Sequence, residues 1–105
     1  MEEILKTISP EKLQLWIASA TPFQLIDVRE EEEHAAFNIG GTLIPLDNIV
    51  RAVDQIDTEI PVVFYCRKGI RSAIAIQRIQ NKFPFANLYN LTGGIEAWKI
   101  FHRLQ

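Results

Sequence analysis

The chain holds a single cysteine in 105 residues, which excludes an internal disulfide and any multi-cysteine zinc site. Net charge is also scarce, a formal −2 from 11 basic and 13 acidic residues, so the total points to no nucleic-acid and no anionic-membrane partner. No apolar run approaches the ~18 residues of a transmembrane helix, and there are no repeats or low-complexity segments. The opening "MEEILKTISPEKL" lacks both a basic n-region and an apolar h-region, so it does not read as a signal peptide. Together these absences lead to the expectation of a reducing, cytoplasmic setting in which a free thiol survives. What is present is an ordinary globular composition, 48% hydrophobic and 23% charged. The length suits one domain over residues 1–105, able to bury roughly two-thirds of its unfolded-chain surface.

The pattern is a single alternation of strands and helices. "EILKTIS" reads as a short edge strand. Ser9-Pro10 reads as an N-cap followed by proline at N1, opening a helix with Leu13, Trp16 and Ile17 on one face. "FQLIDV" (Phe23–Val28) is a compact buried strand, and Glu31 to Phe37 suit a short helix ended by Gly40-Gly41. "TLIPL" is extended, because Ile44 precedes a proline. Asp47 is expected to cap a helix carrying Ile49, Val50, Val53 and Ile56. "PVVFY" (Pro61–Tyr65) is the most apolar segment and belongs at the sheet centre, where a strand buried on both faces loses its polar alternation. A helix from about Ser72 to Phe83 follows, then the strand "NLYNLT". Gly93-Gly94 leads into a last helix with Ile95, Trp98 and Phe101. This order implies right-handed crossovers and an α/β fold with a mostly parallel sheet and helices on both faces.

In such open sheets ligands bind beyond the carboxyl ends of the strands. Asp27–Glu30, Cys66–Arg71 and Thr92–Gly94 all fall at that edge, so the only thiol lies where the architecture expects a site. The stretch "CRKGIRS" is chemically specific. Cys66 ends a strand and Ser72 opens a helix, so the chain between them turns sharply, and Gly69 supplies the positive φ such a turn needs. Successive N–H groups in a tight loop converge into an anion-binding nest, reinforced by the positive end of the following helix. Arg67, Lys68 and Arg71 add formal charge around the mouth, with Ile70 between them. Each contribution favours thiolate over thiol, which predicts a lowered pKa and a nucleophilic Cys66. The same cradle suits a persulfide, whose outer sulfur is anionic. The competing reading is a small buried hydrophobe at a strand end with three solvated cations.

Through "ISPEKL", "LIDVRE", "IPL", "VVFYCRKGIRSA" and "LTGGIEAW", nearly the whole chain resembles the single-domain rhodaneses, a family of thiosulfate sulfurtransferases. The resemblance implies a five-stranded, mostly parallel sheet between helices, and a reaction without cofactor or metal. It implies that Cys66 takes a sulfane sulfur from thiosulfate or a persulfide donor, holds it as a persulfide, and passes it to a thiophilic acceptor. The acceptor class is a thiol or dithiol, with thioredoxin or a sulfur-carrier protein as examples. By the same resemblance Arg67, Lys68, Gly69, Ile70, Arg71 and Ser72 form the cradle. Many relatives carry a histidine before the "IPL" segment where this chain has Asn38, so no role transfers to that position. Neither His34 nor His102 matches a catalytic position.

Two further readings concern the neighbours of the loop. Asp27, at the same edge, needs a partner if buried; it is expected to hold the site by accepting from loop N–H groups or from Arg71. Arg29 either supports that site or leaves the strand for solvent. Glu30–Glu33 reads as a charge run complementing a helix dipole. Trp98 either packs in the core or approaches the site. Among alternatives, a cysteine phosphatase or arsenate reductase is disfavoured by loop size. Four residues separate Cys66 from Arg71, whereas cysteine phosphatases use five, and the shorter loop leaves room for one extra sulfur. A freestanding sulfur-relay module for cofactor or tRNA thiolation keeps the same persulfide but exchanges it only within protein complexes. A binding domain without activity is disfavoured because thiol and glycine are both present.

Overall fold

A strand whose successive side chains point to opposite faces can be buried on both sides only if each face meets its own apolar layer. β4 (Val62–Tyr65) meets that condition, every residue in it being buried. A computed structural model describes residues 4–104, and within it β4 is the middle of a five-stranded sheet. The other strands are β1 (Thr7–Ile8), β2 (Gln24–Asp27), β3 (Thr42–Leu43) and β5 (Leu88–Leu91). The order is β1-β5-β4-β2-β3, and all the pairings are parallel. The expected edge strand at the start survives as Thr7–Ile8 alone; Glu3, its first residue, lies outside the described residues.

The helices are α1 (Pro10–Ala18), α2 (Glu31–Ala36), α3 (Ile70–Gln80) and α4 (Gly94–Arg103). On one face, Leu13 of α1 and Ile95 of α4 pack with Ile8, Val63, Tyr65 and Leu91. On the other, Ala75, Ile76 and Ile79 of α3 pack with Ile26, Val62, Phe64 and Leu88. The alternation of Val63 and Tyr65 with Val62 and Phe64 between these layers is the two-residue period of β4 made visible. Each fully buried Leu, Ile or Phe contributes about 1.5–3 kcal/mol over its exposed state, so the sheet edge rests on a firm floor.

Helix starts follow their caps. Ser9 Oγ accepts from Lys12 N at 3.0 Å with Pro10 in the first turn, as expected. On α1, Leu13 is buried and Trp16 partly buried, but Ile17 falls at the rim and is exposed. α2 ends at Ala36, ahead of Gly40-Gly41, because Phe37 turns to extended backbone. α3 begins at Ile70 rather than Ser72, since Gly69 takes the N-cap position at φ 99°, and it ends at Gln80, short of Phe83. The helix expected after Asp47 is not formed. Two 3₁₀ turns, Leu46–Asn48 and Val53–Gln55, stand in its place, and the Asp47 side chain caps neither. Asp and Asn in this stretch favour local turns, and the β-branched Ile49, Val50, Val53 and Ile56 gain little from helix. Ile49 and Ile56 instead reach the α3-side core from a turning chain.

Candidate functional site

The chain leaves β4 at Cys66 and enters α3 at Ile70, with three residues to make the turn. Gly69 closes it in the left-handed region; a Cβ there would also crowd Gly93 N at 3.3 Å. The folded loop aims its donors at the sulfur. Gly69 N–H donates to Cys66 Sγ at 3.1 Å, Ser72 N–H at 3.4 Å, and Ser72 Oγ lies 3.4 Å away. The thiol is 1% exposed and forms the floor of a bowl of about 370 Å³ lined by Arg67, Lys68, Ile70 and Arg71.

The loop is buttressed from behind. Ile95 N–H donates to Cys66 O at 2.9 Å and Glu96 N–H to Arg67 O at 3.1 Å, so the first turn of α4 directs its free donors to the loop carbonyls. Gly94 makes that approach possible, because a Cβ on it would sit 2.4 Å from Cys66 O and 2.6 Å from Arg67 O. The "GGIEAW" stretch is thus the rear wall of the cysteine loop.

Burial pushes the Cys66 thiol up. Donation from the Ser72 hydroxyl and from the N–H groups of Ser72, Gly69 and Lys68 outweighs it, and the net shift is downward from an ordinary thiol. The direction matches the expectation, but the leading cause is neutral donors rather than the three cations. Asn90, absent from the sequence reading, holds two of these parts in place. It accepts from Ser72 Oγ at 2.5 Å and donates from Nδ2 to Gly69 O at 3.0 Å. Ser72 has one hydroxyl proton, so it serves either Asn90 or the thiolate at any moment, whereas the backbone N–H groups stay aimed at sulfur. A polar residue inside the apolar strand "LYNL" was the available signal.

Asp27 and Arg29 do not touch the loop in the way expected of them. Asp27 accepts from Arg29 N at 3.0 Å, Nε at 3.0 Å and Nη2 at 2.9 Å, and lies 2.8 Å from His34 Nδ1. An ionised carboxylate only accepts, so Nδ1 carries the proton there. Neither Arg71 nor a loop N–H is among these partners. Burial raises the Asp27 carboxyl, but the Arg29 and His34 hydrogen bonds prevail and hold it below the usual value. Arg29 is itself buried, with Nη2 donating to Phe37 O at 2.6 Å, so the solvent-exposed alternative is excluded.

Arg71 is held elsewhere. Its Nη1 and Nη2 donate to Oε1 and Oε2 of Glu33 at 2.7 and 2.9 Å, joining the cysteine loop to α2. Arg71 lowers the Glu33 carboxyl to about 2. Glu33 also closes a capping box with Glu30, so one member of the acidic run has a specific partner. Trp98 does not line the bowl. It joins the α1/α4 core and a separate shallow depression with Phe37, Lys99, His102 and Arg103. His102 lies against Trp98 O and Gln14 Oε1, and Asn38 shapes a turn, accepting from Gly40 N at 2.9 Å. No group of three or more His, Cys, Asp or Glu capable of holding a metal ion occurs among the described residues, and no helix there is long and apolar enough to cross a membrane.

The rhodanese-like domain family model matches residues 9–100, and the chain belongs to that family. It is 36% identical over 98 residues to the uncharacterized protein YqhL of Bacillus subtilis, covering 92% of this chain and 75% of YqhL. It is 37% identical over 95 residues to the probable adenylyltransferase/sulfurtransferase MoeZ of Mycobacterium tuberculosis, covering 88% of this chain but only 24% of MoeZ. Among solved structures, the human single-domain sulfurtransferase TSTD1 superposes with a TM-score of 0.77 at 26% identity, covering 92% of this chain and 97% of TSTD1. A rhodanese-like domain protein from Staphylococcus aureus superposes at 0.80 with 27% identity, over 90% of this chain and 91% of that one. The five-stranded sheet with its helices is the fold these neighbours share.

Proposed function

We propose that the protein is a sulfurtransferase that carries sulfane sulfur as a persulfide on Cys66. The observation that carries this reading is the cradle: Gly69 and Ser72 N–H groups lie 3.1 and 3.4 Å from the sulfur at the floor of an open bowl. Fixed amide donors stabilise the Cys66 thiolate before it attacks and again as it departs when the outer sulfur is passed on, without reorganising between steps. Cys66 is the nucleophile; Gly69 and Ser72 hold the charge; Arg67, Lys68, Ile70 and Arg71 form the mouth. Asp27 and Arg29 stiffen the neighbouring loop and do not meet substrate. The names of MoeZ and TSTD1 agree with sulfur transfer, and thiosulfate or a persulfide is the donor class. The acceptor is a thiol or dithiol such as thioredoxin, or a sulfur-carrier protein, in a reducing, cytoplasmic compartment.

A relay role gains from a separate observation. The mouth presents Ile70, 67% exposed, beside Lys68, a surface on which another protein's persulfide arm can rest. A phosphatase role loses on geometry. The Arg71 fork that would clamp a phosphoryl group is occupied by Glu33.

The test is mass spectrometry after incubation with thiosulfate or a small-molecule persulfide. One added sulfur atom, removed by cyanide or a dithiol and absent in Cys66→Ser, is the expected result. Transfer that survives Cys66→Ser ends the reading, since the chain has no second thiol.

A further inference from the structure

The rim of the bowl carries three cations, and two of them are already engaged. The end of the Arg71 fork is filled by both carboxylate oxygens of Glu33. Arg67 Nε donates to Glu96 Oε2 at 2.8 Å. Lys68 has no carboxylate partner among the described residues. Three positive and two negative groups leave the rim with a single net positive charge and no open guanidinium fork on Arg71. Both acids are placed by elements outside the loop, Glu33 by α2 and Glu96 by the first turn of α4.

We propose that Glu33 and Glu96 are specificity-determining residues which mask Arg71 and Arg67, so that the site favours a singly charged persulfide donor over a sulfonate dianion such as thiosulfate. The inference rests on the sulfurtransferase reading above and names its donor class. In either reaction the Cys66 thiolate attacks the donor's outer sulfur and a new S–S bond forms. The donor's own S–S bond breaks, and its electron pair leaves on R–S⁻ from a persulfide R–S–S⁻ or on sulfite from thiosulfate. Neither needs an oxidant or reductant. They differ in the charge brought to the rim and in the sulfonate oxygens, which an open fork would bind with two parallel hydrogen bonds. On Arg71 that fork is closed, and on Arg67 Glu96 engages Nε and offsets the charge.

The experiment follows single-turnover sulfur loading of Cys66 by mass, using thiosulfate and cysteine persulfide as donors, in the full chain and in Glu33→Gln, Glu96→Gln and the double variant. Glu33→Gln keeps a side-chain oxygen for the Glu30 N–H that Glu33 now caps at 3.1 Å. Unmasking is expected to raise the thiosulfate-to-persulfide rate ratio about fivefold in the double variant, as two added charges act on a dianion through screened solvent. The fall of the thiosulfate rate with added salt should steepen in parallel. Should Glu33→Gln lose its circular dichroism signature, Glu96→Gln, on the exposed rim, carries the test alone with a rise of about twofold. Sulfur loading with an unmoved ratio and salt slope overturns the inference but leaves the sulfurtransferase reading standing. Loading of the parent protein by neither donor overturns both.

Discussion

Two acidic groups sit at the carboxyl edge of this sheet, the Cys66 thiol just after β4 and the Asp27 carboxyl at the end of β2, and they are held in opposite ways. The Cys66 sulfur is met by backbone N–H groups and a hydroxyl, and its outer side opens into the bowl. The Asp27 carboxylate is met by Arg29 and His34 and is fully buried. Neutral, fixed donors lower the energy of an anion while leaving it available to an incoming atom. A buried arginine lowers it by filling the space a reactant would need. Under the proposed function, that difference separates a nucleophile from a brace, though both lie at the ends of adjacent strands.

The comparison breaks most visibly where each anion is removed. Cys66→Ser should abolish sulfur loading entirely while the protein keeps its melting temperature within a few degrees, read by mass and by circular dichroism. Asp27→Ala should do the reverse in kind. It strands Arg29 in the interior, a change that costs about 3–5 kcal/mol, and a lowered melting temperature should precede any effect on loading per folded molecule. A smaller effect is expected from Ser72→Ala, which removes the one hydroxyl proton shared between the sulfur and Asn90 Oδ1. An unsatisfied buried acceptor costs about 1–3 kcal/mol, so stability should fall modestly and thiol reactivity at neutral pH should fall with it. The smallest effect on stability belongs to Arg67→Ala, whose partner Glu96 is exposed; such pairs are worth about 0–1 kcal/mol.

Acid should sharpen the same contrast. Asp27 and Glu33 both have folded-state pKa values below their ordinary ones, Glu33 at about 2. A depressed carboxyl contributes stability that is fully present above its unfolded value and is lost as pH falls through the folded one. Stability is therefore expected to hold from neutrality down to roughly the ordinary carboxylate range and to decline below it. Denaturant titrations of Asp27→Asn across that range should show a flatter acid limb than the parent.

Much of this was legible before any coordinates. The buried run "PVVFY", the strand–thiol–glycine–helix order of "CRKGIRS" and the double glycine before the last helix are local signals, and each took its expected place. The misses share one physical character. Whether Arg71 meets Asp27 or Glu33 depends on how α2 lies against the cysteine loop, a relation across 38 residues of sequence that no spacing rule encodes. His34 and Asn90 are polar residues whose partners arrive from other elements, so their roles depend on tertiary placement. The stretch after Asp47 failed for a different reason. Its apolar spacing suits a helix, but the core draws Ile49 and Ile56 inward from two separate turns.

The central claim, that neutral donors rather than surface cations hold the Cys66 thiolate, is tested most directly by its titration. Thiolate absorbance, or the rate of alkylation by iodoacetamide, followed against pH in the parent, Ser72→Ala, Arg67→Ala and Lys68→Ala proteins gives the needed order. The expected result is a parent midpoint below that of an ordinary thiol, moved upward by Ser72→Ala more than by either cation substitution. A parent midpoint at the ordinary value, or a larger movement on removing Arg67 or Lys68 than on removing the Ser72 hydroxyl, would contradict the account.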